Sequence, residues 1–316
     1  MTVFTGAGIS TGSGIPDYRS GYNTVLETGP GCWEKAALKQ KFKEDCKQSG
    51  KALPLAHRVN FATTIQQARP SVTHMALVEL QNRGILKGVV SQNIDGLHLK
   101  SGIDPDKIAE IHGNTNLEEC MKCGRWFPRD YKVRTATKPK EHKTGRKCET
   151  QGCNGDLKDT IINFGEYLNQ DVGHKGYAIH AASDLVICMG SSMRVPPACL
   201  MPFEALKNGG KVVMCNLQKT VWDDDCALVI HEKIEKIMEI LMAKLQLPIP
   251  DFTRTFRLKV ARTRPTSSKG SNAAAQRQGG NVKFTGVDQS GRVFTHFKAL
   301  RVTGLGPAPA VFPQRG

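Results

Sequence analysis

The chain has 316 residues, 39% of them hydrophobic, with a mean hydropathy of −0.35 and a formal net charge of +15. That length is enough for a sizeable core in two lobes. No run approaches the ~18 apolar residues a membrane span needs, so no membrane role is expected. The basic excess suggests an acidic partner such as nucleic acid, chromatin or an anionic surface, without identifying it. Ten cysteines in so long a chain exclude a disulfide-stapled miniprotein. No signal peptide is visible after Met1. A reducing compartment is therefore expected, and clustered cysteines are read first as metal ligands.

Thr2-Val3-Phe4 is a short β-type run that ends in Gly6-Ala7-Gly8. Glycine there permits a tight turn and lets backbone N–H groups approach a phosphate. The spacing is not G-x-G-x-x-G, because Ser10 and Thr11 precede Gly12, so the pattern alone equally fits an ordinary strand–helix turn. Asp17 and Arg19 follow within Gly14–Arg19, where they are placed to hydrogen-bond ribose and pyrophosphate oxygens. Ser20–Arg69 is Lys-rich and helix-prone. Thr73–Arg83 carries a helical apolar pattern at Met75, Ala76, Leu77 and Leu80. Ile85–Ser91, Asp184–Met189 and Lys211–Cys215 are short β-branched runs that read as buried parallel strands, and Lys233–Leu245 has an i, i+3, i+4 apolar face. This alternation predicts an α/β fold, a Rossmann-like doubly wound parallel sheet. Ser20–Arg69 and Cys120–Asp156 break the alternation and read as two insertions forming a smaller lobe.

Cys120-x2-Cys123 is followed after 24 residues by Cys148-x4-Cys153. Two close thiol pairs suit tetrahedral Zn2+, and four thiolates leave no open position, so the metal is expected to be structural. Lys122, Arg125, Arg129, Lys132, Arg134, Lys143, Arg146 and Lys147 surround them. They are read as a solvated face, with a nucleic-acid-binding zinc ribbon as the rival. Cys188, Cys215 and Cys226 read as buried hydrophobes. Thr253–Gly316 holds twelve Lys/Arg and one acid, Asp288, a balance of +11 that leaves +4 for the rest. Leu247–Pro250 ends the preceding helix, and Thr266–Gly280 has a disordered composition. Val282–Thr285 and Arg292–Phe297 alternate as a hairpin would.

Several motifs occur together across about residues 2–252: GAGISTGSGIPDYRS (Gly6–Ser20), SQNIDGLH (Ser91–His98), His112-Gly113-Asn114, the paired cysteines, Gly190-Ser191-Ser192 and Asn216-Leu217-Gln218. On these residues the sequence resembles the sirtuins, the NAD-dependent protein-lysine deacylases. Arg69–Leu77, Leu157–Glu166 and Ile230–Glu232 look most like the nuclear class IV branch that includes sirtuins 6 and 7. Three departures stand out. The chain starts almost at the glycine loop, where relatives have a helix and a longer strand before it. The Arg19–Trp33 loop is longer than the class IV pattern, and Glu34–Arg69 carries an extra Lys-rich stretch.

The resemblance implies a catalytic domain over 1–252. Its Rossmann-like parts are 1–19, 70–118 and 157–252. A small lobe comes from 20–69 and 119–156, with a zinc module, and 253–316 is a basic, largely disordered tail. It implies His112 as general base, although a His before Gly-Asn is by itself more often a turn or core residue. The implied scheme has the acyl-lysine oxygen attacking the NAD+ ribose as nicotinamide leaves. His112 then deprotonates a ribose hydroxyl, and water finally releases lysine and O-acyl-ADP-ribose. Asn93 and Asp95 are expected to hold nicotinamide and a water, and Gln92 to contact ribose; unaided, these three read as a polar turn. The implied NAD+ contacts also include Gly6, Ala7, Gly8, Ile9, Thr11, Asp17, Tyr18, Arg19, Trp33, Gly190, Ser191, Ser192, Asn216, Leu217, Gln218 and Ile234. Phe164-Gly165-Glu166 and Arg194-Val195 match segments that sandwich an acyl-lysine peptide as an added strand. His74 and His98 are expected to pack or cap. The implied partners are acyl-lysine proteins such as histones, in the nucleus, with nucleic-acid or chromatin contact through the tail. Mono-ADP-ribosyl transfer and a chromatin-binding module with vestigial catalysis are the alternatives. The complete set His112, Asn93, Asp95 and Arg19 speaks against the vestigial reading.

Overall fold

A computed structural model describes residues 1–49 and 63–253, together with the strand backbones at 256–263, 281–288, 293–294, 299–302 and 310–313. In chain order the elements are β1 (Thr2–Thr5), α1 (Cys32–Ser49), α2 (Thr63–Gln67), α3 (Val72–Asn82), β2 (Gly88–Ser91), α4 (Leu97–Ser101), β3 (Ile108–Glu110), β4 (Leu117–Cys120) and β5 (Trp126–Pro128). Then come β6 (Lys143–Lys147), β7 (Asp156–Asp159), α5 (Gln170–Ala181), β8 (Leu185–Met189), β9 (Lys211–Cys215), β10 (Leu228–Ile230) and α6 (Ile234–Lys244). The remaining strands are β11 (Phe256–Thr263), β12 (Asn281–Asp288), β13 (Val293–Phe294), β14 (Ala299–Val302) and β15 (Ala310–Pro313). The chain separates into two units: Met1–Trp126 with Tyr131–Phe252, and Phe127–Asp130 with Thr253–Gly316.

The main sheet of the first unit has the order β10-β9-β8-β1-β2-β3, and every recorded pairing is parallel. Numbered within the sheet this is 3-2-1-4-5-6, the doubly wound order expected from the alternating pattern. Burial on both faces explains the continuous apolar runs. Val3, Val89 and Ile187 pack with Leu77 and Leu80 of α3 and Met238 and Met242 of α6. Phe4, Val90 and Val186 pack on the opposite face with Met201 and Ala205 of a 3-10 segment, Ala198–Asn208. The order reverses between β1 and β8, so a crevice opens at their carboxyl ends, where such sheets bind ligands.

One expectation needs correction. The strand expected over Ile85–Ser91 begins only at Gly88, because the N–H groups of Ile85 and Leu86 turn back to the Leu80 carbonyl and close α3. Beyond Phe252 the described residues form strands: β12 pairs antiparallel with both β11 and β13, and β14 with β15. The β12–β13 pair lies where the hairpin was expected, and the stretch Thr266–Gly280 falls outside the described residues. Helix α1 lies within the Lys-rich, helix-prone stretch, and none of its residues is buried. No described helix is long and apolar enough to cross a membrane.

Candidate active site

A cleft of about 1070 Å³ lies at the crevice, within the first unit. Its floor is the turn after β1, continued from the sheet by Gly6 N–H to the Met189 carbonyl, 3.0 Å. Gly8 and Gly190 meet there back to back. A Cβ on Gly8 would sit 2.6 Å from the Gly190 Cα, and Gly190 itself has φ 62. Both positions therefore need glycine, and the missing side chains leave backbone exposed to a ligand.

His112 follows β3 and lines the cleft. Its Nδ1 lies 3.0 Å from the Gln92 carbonyl, which can only accept, so Nδ1 carries the proton and Nε2 keeps the lone pair. Burial holds the imidazole below its ordinary pKa, only partly opposed by the Gln92 bond. His112 is thus a neutral base at neutral pH. Beside it, Asn93 Nδ2 donates to the Gly6 carbonyl (3.0 Å) and to Ser10 Oγ (3.2 Å), and Ser10 donates to Asp95 Oδ2 (2.7 Å). Asp95 also accepts the Leu97 N–H at the start of α4 (2.9 Å). Burial raises its pKa in spite of these bonds. Ser191 Oγ fixes Gln92 Oε1 at 2.7 Å.

The Asp17 carboxylate is engaged by its own turn. It accepts the N–H groups of Arg19 and Ser20 and the Ser20 hydroxyl, stabilising its own turn. The neck of the loop is zipped by Cys32 N–H to the Asp17 carbonyl, Trp33 N–H to Tyr18 and Gly31 N–H to Ser20, 2.7–3.1 Å. Tyr18, Trp33 and Phe164 stack in sequence at 5.5 and 5.9 Å, and the Arg19 guanidinium lies 4.4 Å over the Trp33 ring.

Most residues expected to touch the dinucleotide line the cleft: Ala7, Gly8, Thr11, Asp17, Tyr18, Arg19, Trp33, Gln92, Asn93, His112, Gly190–Ser192, Asn216–Gln218 and Ile234. Gly6, Ile9 and Asp95 do not; they are buried behind the wall. Asp95 instead orients Asn93 through Ser10, a link the sequence reading missed. Its only signal was a hydroxyl residue two places after the glycine pair.

The four cysteines converge. Their Sγ atoms lie within 4.8 Å of one another, with Cys120–Cys153 at 3.6 Å and Cys123–Cys148 at 3.7 Å. A tetrahedron with Zn–S near 2.3 Å requires sulfur separations of about 3.8 Å, so the donor set fits zinc. Lys122 and Cys123 N–H groups reach the Cys120 sulfur and Thr150 N–H reaches Cys148, all at 3.4 Å, which stabilises thiolates. The module's antiparallel sheet pairs β7 with both β4 and β6. Four of its eight cations pair with acids. Arg146 meets buried Glu118 at 2.6 Å, Arg134 meets Asp159 at 3.0 Å, and Lys143 and Lys147 share Asp156. This leaves less free charge for the nucleic-acid-ribbon reading.

Sheet order, glycine turn and site together define a doubly wound, dinucleotide-type protein carrying a four-thiol module. The Sir2 family model matches residues 6–197, and the chain belongs to that family. An Arabidopsis thaliana protein named NAD-dependent protein deacetylase SRT1 is 40% identical over 255 residues, 80% of this chain and 48% of its own. Human NAD-dependent protein deacetylase sirtuin-7 is 37% identical over 265 residues, 80% of this chain and 58% of its own. A solved structure of Sir2 with a p53 peptide and NAD+ is 27% identical, with TM-score 0.52, and the match covers 78% of this chain and 92% of that one. The chain spans about half the length of its plant relative.

Proposed function

We propose that the chain is an NAD+-dependent protein-lysine deacylase that transfers the acyl group to ADP-ribose and releases nicotinamide. The observation that carries this is His112, a neutral base with a fixed tautomer, set beside Asn93 and an open glycine turn. Bound NAD+ supplies an electrophilic ribose carbon with nicotinamide as its leaving group. His112 Nε2 accepts a proton from a sugar hydroxyl at neutral pH, a role worth roughly 10²–10⁴-fold in rate. Asn93, held on two sides, orients the nicotinamide end, with Asp95 and Ser10 behind it. The Gly8–Gly190 contact brings backbone close to phosphate. Tyr18, Trp33 and Phe164 cover the mouth and restrict water. Ile161–Glu166 offers a peptide-binding edge beside His112. The four cysteines hold one structural Zn2+. The substrates are acyl-lysines of histones or other nuclear proteins, in line with the relatives named sirtuin-7 and with the basic tail.

The test is mass spectrometry of products from acetylated, longer-acylated and unmodified peptides with NAD+. Nicotinamide and O-acyl-ADP-ribose should appear only with acyl-lysine. His112→Asn should lower kcat by about 10²-fold or more with unchanged circular dichroism. ADP-ribose attached to peptide would instead support transferase activity, and acyl-independent release would refute deacylation.

A further inference from the structure

Glu166 lines the cleft, yet its carboxylate is turned inward. Oε2 accepts the Asn163 N–H at 2.7 Å. Oε1 accepts Asn163 Nδ2 (2.9 Å), the Lys140 N–H (2.9 Å) and His142 Nε2 (3.2 Å). Burial opposes its charge, but these donors hold its pKa down to about 2. It is therefore an ionised acceptor at working pH, and His142 Nε2 must be the donor.

The other side of His142 faces a second fixed point. Its Nδ1 lies 3.0 Å from Asp159 Oδ1 and 3.3 Å from Arg134 Nη1. The Asp159 side chain is fully buried in β7 and is also bonded by Arg134 and by the Ile161 N–H. Nδ1 thus sits against the Asp159 carboxylate and the Arg134 guanidinium, while Nε2–H faces Glu166. The other end of the segment is fixed by Ile162 N–H to the His112 carbonyl, 3.0 Å. The edge 161–166 thus runs between the proposed base and an imidazole anchored on the sheet of the four-thiol module.

We infer that His142 is a positioning residue for the acylated peptide: by tying Glu166 to Asp159 it sets the edge along which the substrate backbone pairs. The inference rests on the deacylase reading. A side chain acting only on this edge should change peptide affinity and leave the dinucleotide end alone. Gln can place its amide N–H where Nε2 lies, whereas the shorter Asn reaches only the Nδ1 position, toward Asp159. Both are polar and small enough for this half-buried site.

Steady-state kinetics of the 316-residue parent, His142→Asn and His142→Gln, with an acetyl-lysine peptide and NAD+, test it. His142→Asn should raise the peptide KM about fivefold or more, with kcat and the NAD+ KM within twofold. His142→Gln should return the peptide KM to within twofold of the parent. Equal peptide KM in all three proteins would overturn the inference. So would a loss spread over kcat and both KM values, or a Gln variant as impaired as Asn. Anisotropy of a fluorescein-labelled acetyl-lysine peptide repeats the comparison without turnover. If the parent makes no O-acyl-ADP-ribose, the deacylase reading fails on its own, and His142 is judged by the peptide Kd. Equal Kd values, or no peptide binding to the parent, overturn it.

Discussion

Three buried histidines show how strongly the interior acts on single residues. His74 closes a capping box at the start of α3: Ser71 N–H meets its Nδ1 at 3.2 Å, and Ser71 Oγ accepts the His74 N–H. His98 Nε2 lies 2.9 Å from Thr5 Oγ1, and His180 Nδ1 lies 2.9 Å from Thr2 Oγ1. Burial lowers all three pKa values, His98 to about 4 and His180 to about 3. In the unfolded chain they titrate near ~6.5, so below that pH the unfolded state binds more protons and gains stability. Folding stability should be complete above pH ~6.5 and fall toward pH 4, by on the order of 3 kcal/mol for His98 alone. Urea midpoints measured from pH 7.5 to 4.5 should show this decline, and a flat profile would contradict it. The cap-or-pack role of His74 and His98 was legible because a histidine inside an apolar pattern has few other uses. Asp17 lines the cleft, but the hydrogen bonds its carboxylate makes to its own turn were not legible, because sequence does not reveal which way a carboxylate in a turn faces.

At the level of elements, the apolar runs marked β1, β8 and β9 almost residue for residue, since a buried parallel strand must be apolar on both faces. They failed at the start of β2, where the same Ile and Leu serve to end a helix. The cysteine spacing was equally legible, because two close pairs admit few other arrangements. The link from Glu166 through His142 to Asp159 was not, because its members lie 17 and 24 residues apart with no spacing rule to join them. The four-thiol module should bind one Zn2+ per chain, measurable by native mass spectrometry. Chelation should lower the Tm and loosen Cys120–Asp159 first, seen as faster amide exchange in β4, β6 and β7. A metal-free protein with the same Tm would remove zinc from the fold.

For the molecule as a whole, the charge is unevenly shared: +11 beyond Phe252 and +4 before it. The cleft and its chemistry belong to the nearly balanced part. If the tail is the polyanion-binding part, removing Thr253–Gly316 should weaken DNA binding at least tenfold and flatten its salt dependence, while peptide deacylation stays within twofold. Equal DNA affinity with and without the tail would refute this. Composition located that charge and alternation marked the β12–β13 pair, whereas β11 and the β14–β15 pair had no such signal, because alternation in a Gly- and Ser-rich stretch is faint.

The zipped neck between Asp17–Ser20 and Gly31–Trp33 bears on how such a protein changes over evolutionary time. It fixes the wall-forming side chains and leaves the ten residues between as an excursion anchored at both ends. Doubling such an excursion adds only about 0.6 kcal/mol of closure entropy. Insertions at this point are nearly neutral for folding, so selection is free to vary what the loop meets outside while the chemistry inside stays the same.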